Sequence, residues 1–466
     1  MNEAVRATPP GKPEGPPRTS ALVVLGACAV LAVPGAWLIL TGNNAGRAAF
    51  DATAYHIRFI RQLAADFPDF DLSNPLTATT PGYHMVLATV ARLGADSTAA
   101  LRVASLAIGL LLVGVFAAWC SRRAARLEAA LLSMPLAASV YVLGSAAWTA
   151  PDNLAWLLVA SILLICLRGT RGRWDLATAS LLLVGLVSVR QIHIWCAAVI
   201  WAAAWSDARV RGATISGAIR ATVPWLLATV PALLVLGYFV WKWGGLAPPR
   251  FQGEVQGFSL PTPAFVLLQI AILAVGFSPW IAPRVRDAWR EDRGRILVVA
   301  TAGLLLALVP TTTASFADGR FGGWWGLAAR LPVLFERSSV LVLAGAPVGA
   351  VVLHALLARL DGRTRLVTGT AVLGFVLAMT ANHYCWQRYH EPFLLLLIPV
   401  MILSDRHPRA DASRLGLLPP VALLLLLGVI AFTGVRGEPV PDDATPAPSH
   451  IAPSDRFDEG KYLLTK

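Results

Sequence analysis

The chain is poor in charged residues and in cysteine. Only 14% of its 466 residues are Asp, Glu, Lys or Arg, whereas 56% are hydrophobic. This composition excludes an ordinary soluble globular protein. The five cysteines (Cys28, Cys120, Cys166, Cys196, Cys385) lie in or near apolar segments and lack the paired spacing of metal ligands. Their placement predicts core packing rather than a disulfide framework or a zinc site.

Motifs for phosphate and metal binding are also missing. The sequence has no glycine-rich phosphate loop before a helix, no His-Glu-x-x-His, and no Asp-x-Asp motif near a strand–helix unit. These absences disfavour a cytosolic enzyme that uses a nucleotide sugar, and we predict no metal and no cofactor. The net charge of +12 comes from arginines dispersed in short loops, which is not a nucleic-acid-binding pattern.

What the sequence does contain is a series of apolar runs long enough to cross a bilayer. They predict an all-α polytopic membrane protein with about thirteen transmembrane helices. The predicted spans lie near residues 21–41, 99–119, 128–147, 152–168, 175–190, 192–206, 221–241, 262–282, 296–315, 338–358, 366–382, 392–404 and 415–434.

The arginines predict the orientation of these helices. Every second connection is rich in arginine, and the positive-inside rule places those connections in the cytoplasm. Residues 1–20, rich in proline, glycine and charge, are then a disordered cytoplasmic tail. Residues 21–434 form the transmembrane domain, with a large first extracytoplasmic loop at 42–98. Residues 435–466 form an extracytoplasmic tail.

The first outer loop carries an unusual concentration of polar residues for so apolar a chain. Asp51, Tyr55, Arg58 and Gln62 recur at helical spacing on one face, which predicts an amphipathic surface helix with Asp51 at its start. A second short helix is predicted at 82–93. Taken alone, the pattern favours Asp51 as a helix cap, stabilised by the helix dipole, and the loop arginines as a solvated face.

These residues resemble the GT-C superfamily of integral-membrane glycosyltransferases. That group carries an acid just after the first helix and two juxtamembrane helices, the second opening with a proline–small–aromatic turn. The closest similarity is to the dolichyl-phosphate-glucose α-1,2-glucosyltransferases, and one departure from that family is Ala52, where a second acid usually stands. The matching motifs are Asp51…Tyr55-His56-Ile57, Asn74-Pro75…Thr79-Thr80-Pro81-Gly82-Tyr83, Leu101-Arg102, Arg190-Gln191-Ile192-His193-Ile194 and Asn382-His383-Tyr384.

The resemblance implies an inverting transfer of a hexose from a polyprenyl-phosphate carrier to a hydroxyl acceptor on a glycan, lipid or protein. It would occur at the outer face of the cell membrane, with Asp51 as general base and without nucleic acid as a partner. The remaining candidates, all for substrate binding, are His56, Arg58, His84, Asp152, Arg190, Gln191, Lys242, Arg250, Arg320, His383, Arg388 and Tyr389.

Other interpretations of these features stay open at the level of sequence. Asp152 begins a predicted span and is equally a helix cap, and the aromatic segment 241–252 is equally an interfacial belt with a turn. A transporter or flippase of a lipid-linked or anionic substrate would also hold buried arginines. It predicts polar groups near the bilayer midplane and an inverted repeat.

Overall fold

The structure is a bundle of helices. The computed structural model describes residues 19–170, 172–255, 257–405, 414–435 and 440, so nearly all of the two predicted tails lies outside the described residues. The α-helices, in chain order, are α1 (Ala21–Leu40), α2 (Arg47–Asp51), α3 (Ile57–Ala65), α4 (Gly82–Arg92), α5 (Thr98–Ser121), α6 (Arg126–Ala138), α7 (Val140–Ala147), α8 (Asp152–Arg168), α9 (Arg173–Val189), α10 (Cys196–Val210), α11 (Ile215–Trp243), α12 (Gln252–Val255), α13 (Thr262–Gly276), α14 (Ser278–Glu291), α15 (Arg293–Leu308), α16 (Trp324–Ala328), α17 (Val340–Ala358), α18 (Gly362–Thr380), α19 (Gln387–Leu403) and α20 (Leu418–Gly434).

Irregular helical turns and one small hairpin complete the described elements. A π-helical turn joins α2 to α3, and the two strands pair antiparallel. The ranges are Ala52–His56 for the π turn, Gln191–Trp195, Pro249–Phe251 and Arg414–Leu417 for the 3₁₀ turns, and Val333–Leu334 (β1) and Ser338–Ser339 (β2) for the strands.

The helices follow the predicted spans closely, which confirms the all-helical membrane architecture. Each predicted span coincides with one helix or with a helix pair. Two spans are bent: α6 and α7 meet at 57°, and α13 and α14 meet at 113°, so the span predicted at 262–282 is not straight. Among the described residues, four helices qualify as membrane spans by length and hydropathy, or up to six if each bent pair counts as one. The number of crossings therefore stays a prediction.

Small residues let the central helices pack closely. A Cβ added at Gly349 on α17 would lie 1.9 Å from the backbone oxygen of Leu267 on α13, so only glycine allows this approach. Small residues serve the same purpose in membrane helix packing generally. All five cysteines are free thiols, and four of them are fully buried, which confirms their predicted packing role.

The predicted outer loops meet at one end of the bundle. The indole of Trp243 at the end of α11 donates to the carbonyl of Leu72 in the first loop at 2.8 Å. The Thr80 hydroxyl donates to the carbonyl of Val187 on α9 at 2.6 Å. These bonds join segments more than 100 residues apart and fix the first loop to the transmembrane helices.

Arg102 anchors the beginning of the same loop. Its buried guanidinium donates to the carbonyls of Asn43 at 2.8 Å and Ala147 at 2.5 Å. The neighbouring Asn44 exchanges two hydrogen bonds with Val440, so the chain beyond α20 returns to this end of the bundle.

Arginine–carboxylate pairs hold the opposite end together. Arg284 of α14 binds Asp405 at 2.9 Å, and Arg363 at the start of α18 pairs with Asp207 of α10. These arginines belong to the connections that the charge pattern assigns to the cytoplasm. In the structure they also cross-link neighbouring helices through partly buried ion pairs.

The first-loop helix differs from its predicted start. It begins at Arg47 and not at Asp51, so Asp51 lies at the end of its first turn and does not cap it. The amphipathic character is confirmed: Ile57, Ile60 and Leu63 are buried, whereas Gln62 is exposed. The second short helix, α4, ends one residue before its predicted end.

Gly82 provides a test of how the first loop is positioned. A Cβ at this site would lie 2.6 Å from the backbone oxygen of Ser188, which cannot move aside cheaply. We expect Gly82→Ala to displace α4 and to lower the free energy of unfolding by about 1–3 kcal/mol, measured by thermal unfolding in detergent. Gly185→Ala is the control, because its Cβ would meet only Leu158 at 3.8 Å. Equal stability of the two variants would contradict this packing.

Candidate active site

An ion-pair network lies where the predicted outer loops meet. Nη1 of Arg388 is 3.0 Å from Oδ2 of Asp51, and Nη2 of Arg388 is 3.6 Å from Oδ2 of Asp152. The other oxygen of Asp152 pairs with Arg190. The four side chains are between 11% and 26% exposed, so they lie largely out of solvent. Two carboxylates and two guanidinium groups, drawn from four distant parts of the chain, thus balance in charge.

Each member of this network comes from the end of a helix. Asp152 is the first residue of α8, where the helix dipole favours a carboxylate, and its side chain pairs with Arg190 and Arg388. Arg190 follows the last residue of α9 in an extended conformation. Arg388 lies in the first turn of α19, where the dipole disfavours a cation. Arg388 therefore requires nearby carboxylates, and Asp51 and Asp152 provide them.

Aromatic rings cover the two arginines. The guanidinium of Arg190 lies 4.9 Å from the centroid of Tyr389, and that of Arg388 lies 5.3 Å from the same ring and 5.6 Å from Trp386. Tyr384 and Trp386 stack with centroids 4.1 Å apart, and Trp386 in turn stacks on Tyr389 at 5.4 Å. This row of rings suits both cations and the apolar face of a sugar.

The π turn brings His56 towards Asp51. An α-helix would place residues five apart about 140° around the axis, whereas a π turn pairs residue i with residue i+5. The ring of His56 contacts that of His84 on α4, with Nδ1 and Nε2 2.9 Å apart. Both imidazoles are buried. Burial lowers the pKa of His56 to about 4, and the Asp51 carboxylate opposes this fall.

The histidine pair is therefore neutral at physiological pH, and its tautomer follows from its surroundings. Burial also lowers the pKa of His84, with a smaller contribution from His56. Nδ1 of His84 is buried without a partner. A bare acceptor is tolerated better in such a place than an orphaned N–H. We therefore assign Nε2–H of His84 as the donor to Nδ1 of His56, which leaves the His56 proton on Nε2.

Gln191 uses its side chain to hold two of the predicted outer loops together. Its Oε1 accepts from the backbone N–H of Thr80 at 3.1 Å. Its Nε2 donates to the carbonyls of Ala78 at 3.0 Å and Leu246 at 2.9 Å. These bonds place the Thr-Thr-Pro-Gly turn against the loop that follows α11 and carries Arg250.

The other predicted residues lie around the network and not in it. Lys242 is half-buried beside the first loop, and the backbone N–H of Arg250 donates to Oδ1 of Asn74 at 3.2 Å. Arg320 donates to the carbonyl of Thr313 at 2.6 Å and pairs with Asp318 at 2.9 Å, which shapes its own loop.

The last two predicted residues, His383 and Arg58, also lie outside the ion-pair network. The ring of His383 is 5.2 Å from that of Tyr384, at the far end of the aromatic row. Arg58 is half-buried on α3.

A buried carboxylate that the sequence did not single out lies one turn beyond Arg388. Oε1 of Glu391 accepts from the Ser139 hydroxyl at 2.6 Å, and Oε2 accepts from Nε2 of Gln387 at 2.5 Å. Ser139 is the residue at which α6 and α7 bend. An acid three residues after an arginine at the start of a span was the one sequence feature that pointed to Glu391.

Comparison with known proteins finds a distant likeness to a solved structure. No family model and no curated protein matches the chain. Among solved structures, the crystal structure of ArnT from Cupriavidus metallidurans bound to undecaprenyl phosphate matches with 16% sequence identity and a TM-score of 0.40. The match covers 89% of this chain and 77% of that chain. A likeness of this degree carries no argument about the chemistry of the site.

Removal of Arg388 tests the network. Arg388→Gln leaves Asp51 and Asp152 without their shared cation in a largely buried position, which we expect to cost about 3–5 kcal/mol of unfolding free energy. The measurement is thermal unfolding in detergent. Arg122→Gln is the control, because Arg122 is an exposed arginine that directly follows α5 and takes no part in the network. Combining Arg388→Gln with Asp51→Asn should recover part of the loss, because Asp152 keeps its pairing with Arg190. No recovery would show that the Asp51 carboxylate does not depend on Arg388.

The histidine pair predicts a pH dependence of stability. Because burial lowers the pKa of His56 from 6.5 to about 4, the unfolded chain binds a proton in that interval that the folded chain does not. Stability should therefore fall as the pH drops from about 6.5 to 4, by up to about 3 kcal/mol. The unfolding midpoint of the variant His56→Asn, His84→Asn should change less between pH 7.5 and pH 5 than that of the wild type. Equal changes in both proteins would contradict the prediction.

Proposed function

We propose that the protein is a GT-C-type glycosyltransferase that moves a sugar from a polyprenyl-phosphate carrier to a hydroxyl acceptor. The observation that carries the proposal is the convergence of Asp51, Asp152, Arg190 and Arg388 at one end of the bundle. A carboxylate for proton removal and two cations for a phosphate are thereby within reach of a single ligand.

The reaction follows from these groups. The acceptor hydroxyl attacks the anomeric carbon while Asp51 takes its proton. The bond from the anomeric carbon to the phosphate oxygen breaks, and its electron pair leaves with the phosphate. Arg388 and Arg190 stabilise the additional negative charge on that leaving group. A single displacement inverts the configuration of the anomeric carbon.

The ion pair between Asp51 and Arg388 has a consequence for this reaction. A carboxylate held by a guanidinium is a weaker base, because the neighbouring positive charge favours its ionised form. A donor phosphate that approaches Arg388 competes with Asp51 for the same cation. Binding of the donor therefore loosens the ion pair and frees the carboxylate to act on the acceptor.

The location of the polar groups favours this function over a transporter. Asp152, Arg190 and Arg388 all lie at or beside helix ends. A transporter would hold its charged groups near the bilayer midplane, between discontinuous helices. The bend between α6 and α7 does lie beside Glu391, but the charge network itself does not depend on that break.

The finer assignments rest on the sequence resemblance. The similarity to dolichyl-phosphate-glucose glucosyltransferases favours a hexose as the transferred sugar. The arginine distribution favours an extracytoplasmic site in the cell membrane. A glycan, lipid or protein hydroxyl is the acceptor. Ala52 stands where the glucosyltransferases usually have a second acidic residue. In this chain Asp152 supplies a second carboxylate, on the other side of Arg388.

Replacement of Asp51 tests the function directly. In membranes supplied with labelled polyprenyl-phosphate hexoses, we expect Asp51→Asn to lower transfer by about 10²–10⁴-fold, because a general base supplies that factor. Asp66→Asn is the matched control, since Asp66 is exposed at the end of the same helical segment. Wild-type activity in Asp51→Asn would exclude Asp51 as the base. Absence of transfer from every polyprenyl-phosphate hexose by the wild-type protein would reject the proposed function.

A further inference from the structure

A small buried cavity lies on the side of Arg190 and Tyr389. Its walls also include Trp156 of α8, His193 of the 3₁₀ turn, Met379 of α18 and Asn382. Because Arg190 and Tyr389 also belong to the ion-pair network and its aromatic cover, the cavity adjoins the candidate active site directly.

Several polar atoms around this cavity have no hydrogen-bond partner in the structure. They are Nδ1 and Nε2 of His193, Nε1 of Trp156 and Nε of Arg190. His193 and Trp156 are each only 1% exposed, and their rings meet edge to face with centroids 4.9 Å apart. Buried polar atoms are nearly always bonded. A group of unbonded ones beside an opening therefore indicates a ligand that the cavity receives.

The charges around the cavity determine the kind of ligand. Asp152 pairs with Arg190, so the only cation in the wall is already neutralised. A fully buried imidazole stays uncharged, because an unpaired buried charge is costly. The remaining wall is neutral and partly aromatic. This surface attracts an uncharged polar molecule with an apolar face, rather than a free anion.

We propose that this cavity is the subsite for the sugar ring of the lipid-linked donor, with His193 and Trp156 recognising its hydroxyl groups; the proposal rests on the proposed function. A neutral imidazole offers one donor and one acceptor, and the Trp156 indole offers a second donor. The faces of Trp156 and Tyr389 pack against the ring. The phosphate then meets Arg388 beyond Arg190, which places the anomeric carbon between the subsite and the network.

The subsite must enlarge to take the ring. The cavity measures about 10 Å³, which is space for roughly one water molecule. Met379 is its most adaptable wall, because its unbranched side chain has three rotatable bonds. Under the proposal, a change of Met379 rotamer provides the room that the ring needs.

The test compares two lipids that differ only in the sugar. Binding of a polyprenyl-phosphate hexose and of the sugar-free polyprenyl phosphate is measured with purified full-length protein in detergent. His193→Phe and Trp156→Phe keep an aromatic ring and remove the unbonded nitrogens. We expect each to weaken binding of the hexose lipid about two- to tenfold, the value of one or two hydrogen bonds, and to leave the sugar-free lipid unchanged. Trp201→Phe is the control, since its indole bonds Thr229 instead.

A second variant keeps the test independent of these nitrogens. Met379→Phe adds bulk to the cavity wall and should weaken only the hexose lipid, with folding checked by thermal unfolding. Equal weakening of both lipids, or unchanged binding in all three variants, would overturn the subsite and leave a cavity for water alone. If the wild-type protein binds neither lipid, the proposed function itself fails. If instead the wild-type protein prefers the hexose lipid and every variant keeps that preference, only the subsite is rejected and the proposed function stands.

Discussion

The bridge that Arg388 makes between Asp51 and Asp152 is the interaction on which this end of the bundle depends. In a bundle this apolar, a buried cation requires compensating anions, and loss of one partner leaves the others unpaired at high cost. The bridge joins the first loop to α8 and α19, and Arg190 extends it to the end of α9. Because no member can move alone without breaking an ion pair, the same contacts that bind the helices together also fix the geometry of the site.

A second set of bonds keeps the loops rigid around this bridge. Gln191 and Trp243 tie the first loop to the ends of α9 and α11, and Arg102 ties its beginning to α7. The bonds are made largely to backbone carbonyls and amides, so they hold the path of the chain and leave the side chains of the network free for a ligand. The backbone that carries the charged side chains is thereby held in place, and only the side chains need to adjust when a ligand binds.

The sequence predicted the helices and the polar end of the bundle, because apolar runs and arginine-rich connections are local patterns. It also selected Asp51, Asp152, Arg190 and Arg388 as candidates without showing that they pair. Those pairings join residues up to 337 positions apart, and no local pattern encodes them. The π turn was missed for a related reason, since it depends on the packing of His56 against His84 and not on helical periodicity.

The π turn between Asp51 and His56 illustrates how local geometry and distant packing combine. A π turn contains one residue more than an α-helical turn, which keeps His56 close to the face of Asp51. The neutral histidine pair then lies beside Asp51, while Arg388 holds its carboxylate. Under the proposed function, a donor phosphate that draws Arg388 away leaves Asp51 beside a neutral imidazole instead of a cation. The base therefore becomes available only when the donor occupies the site.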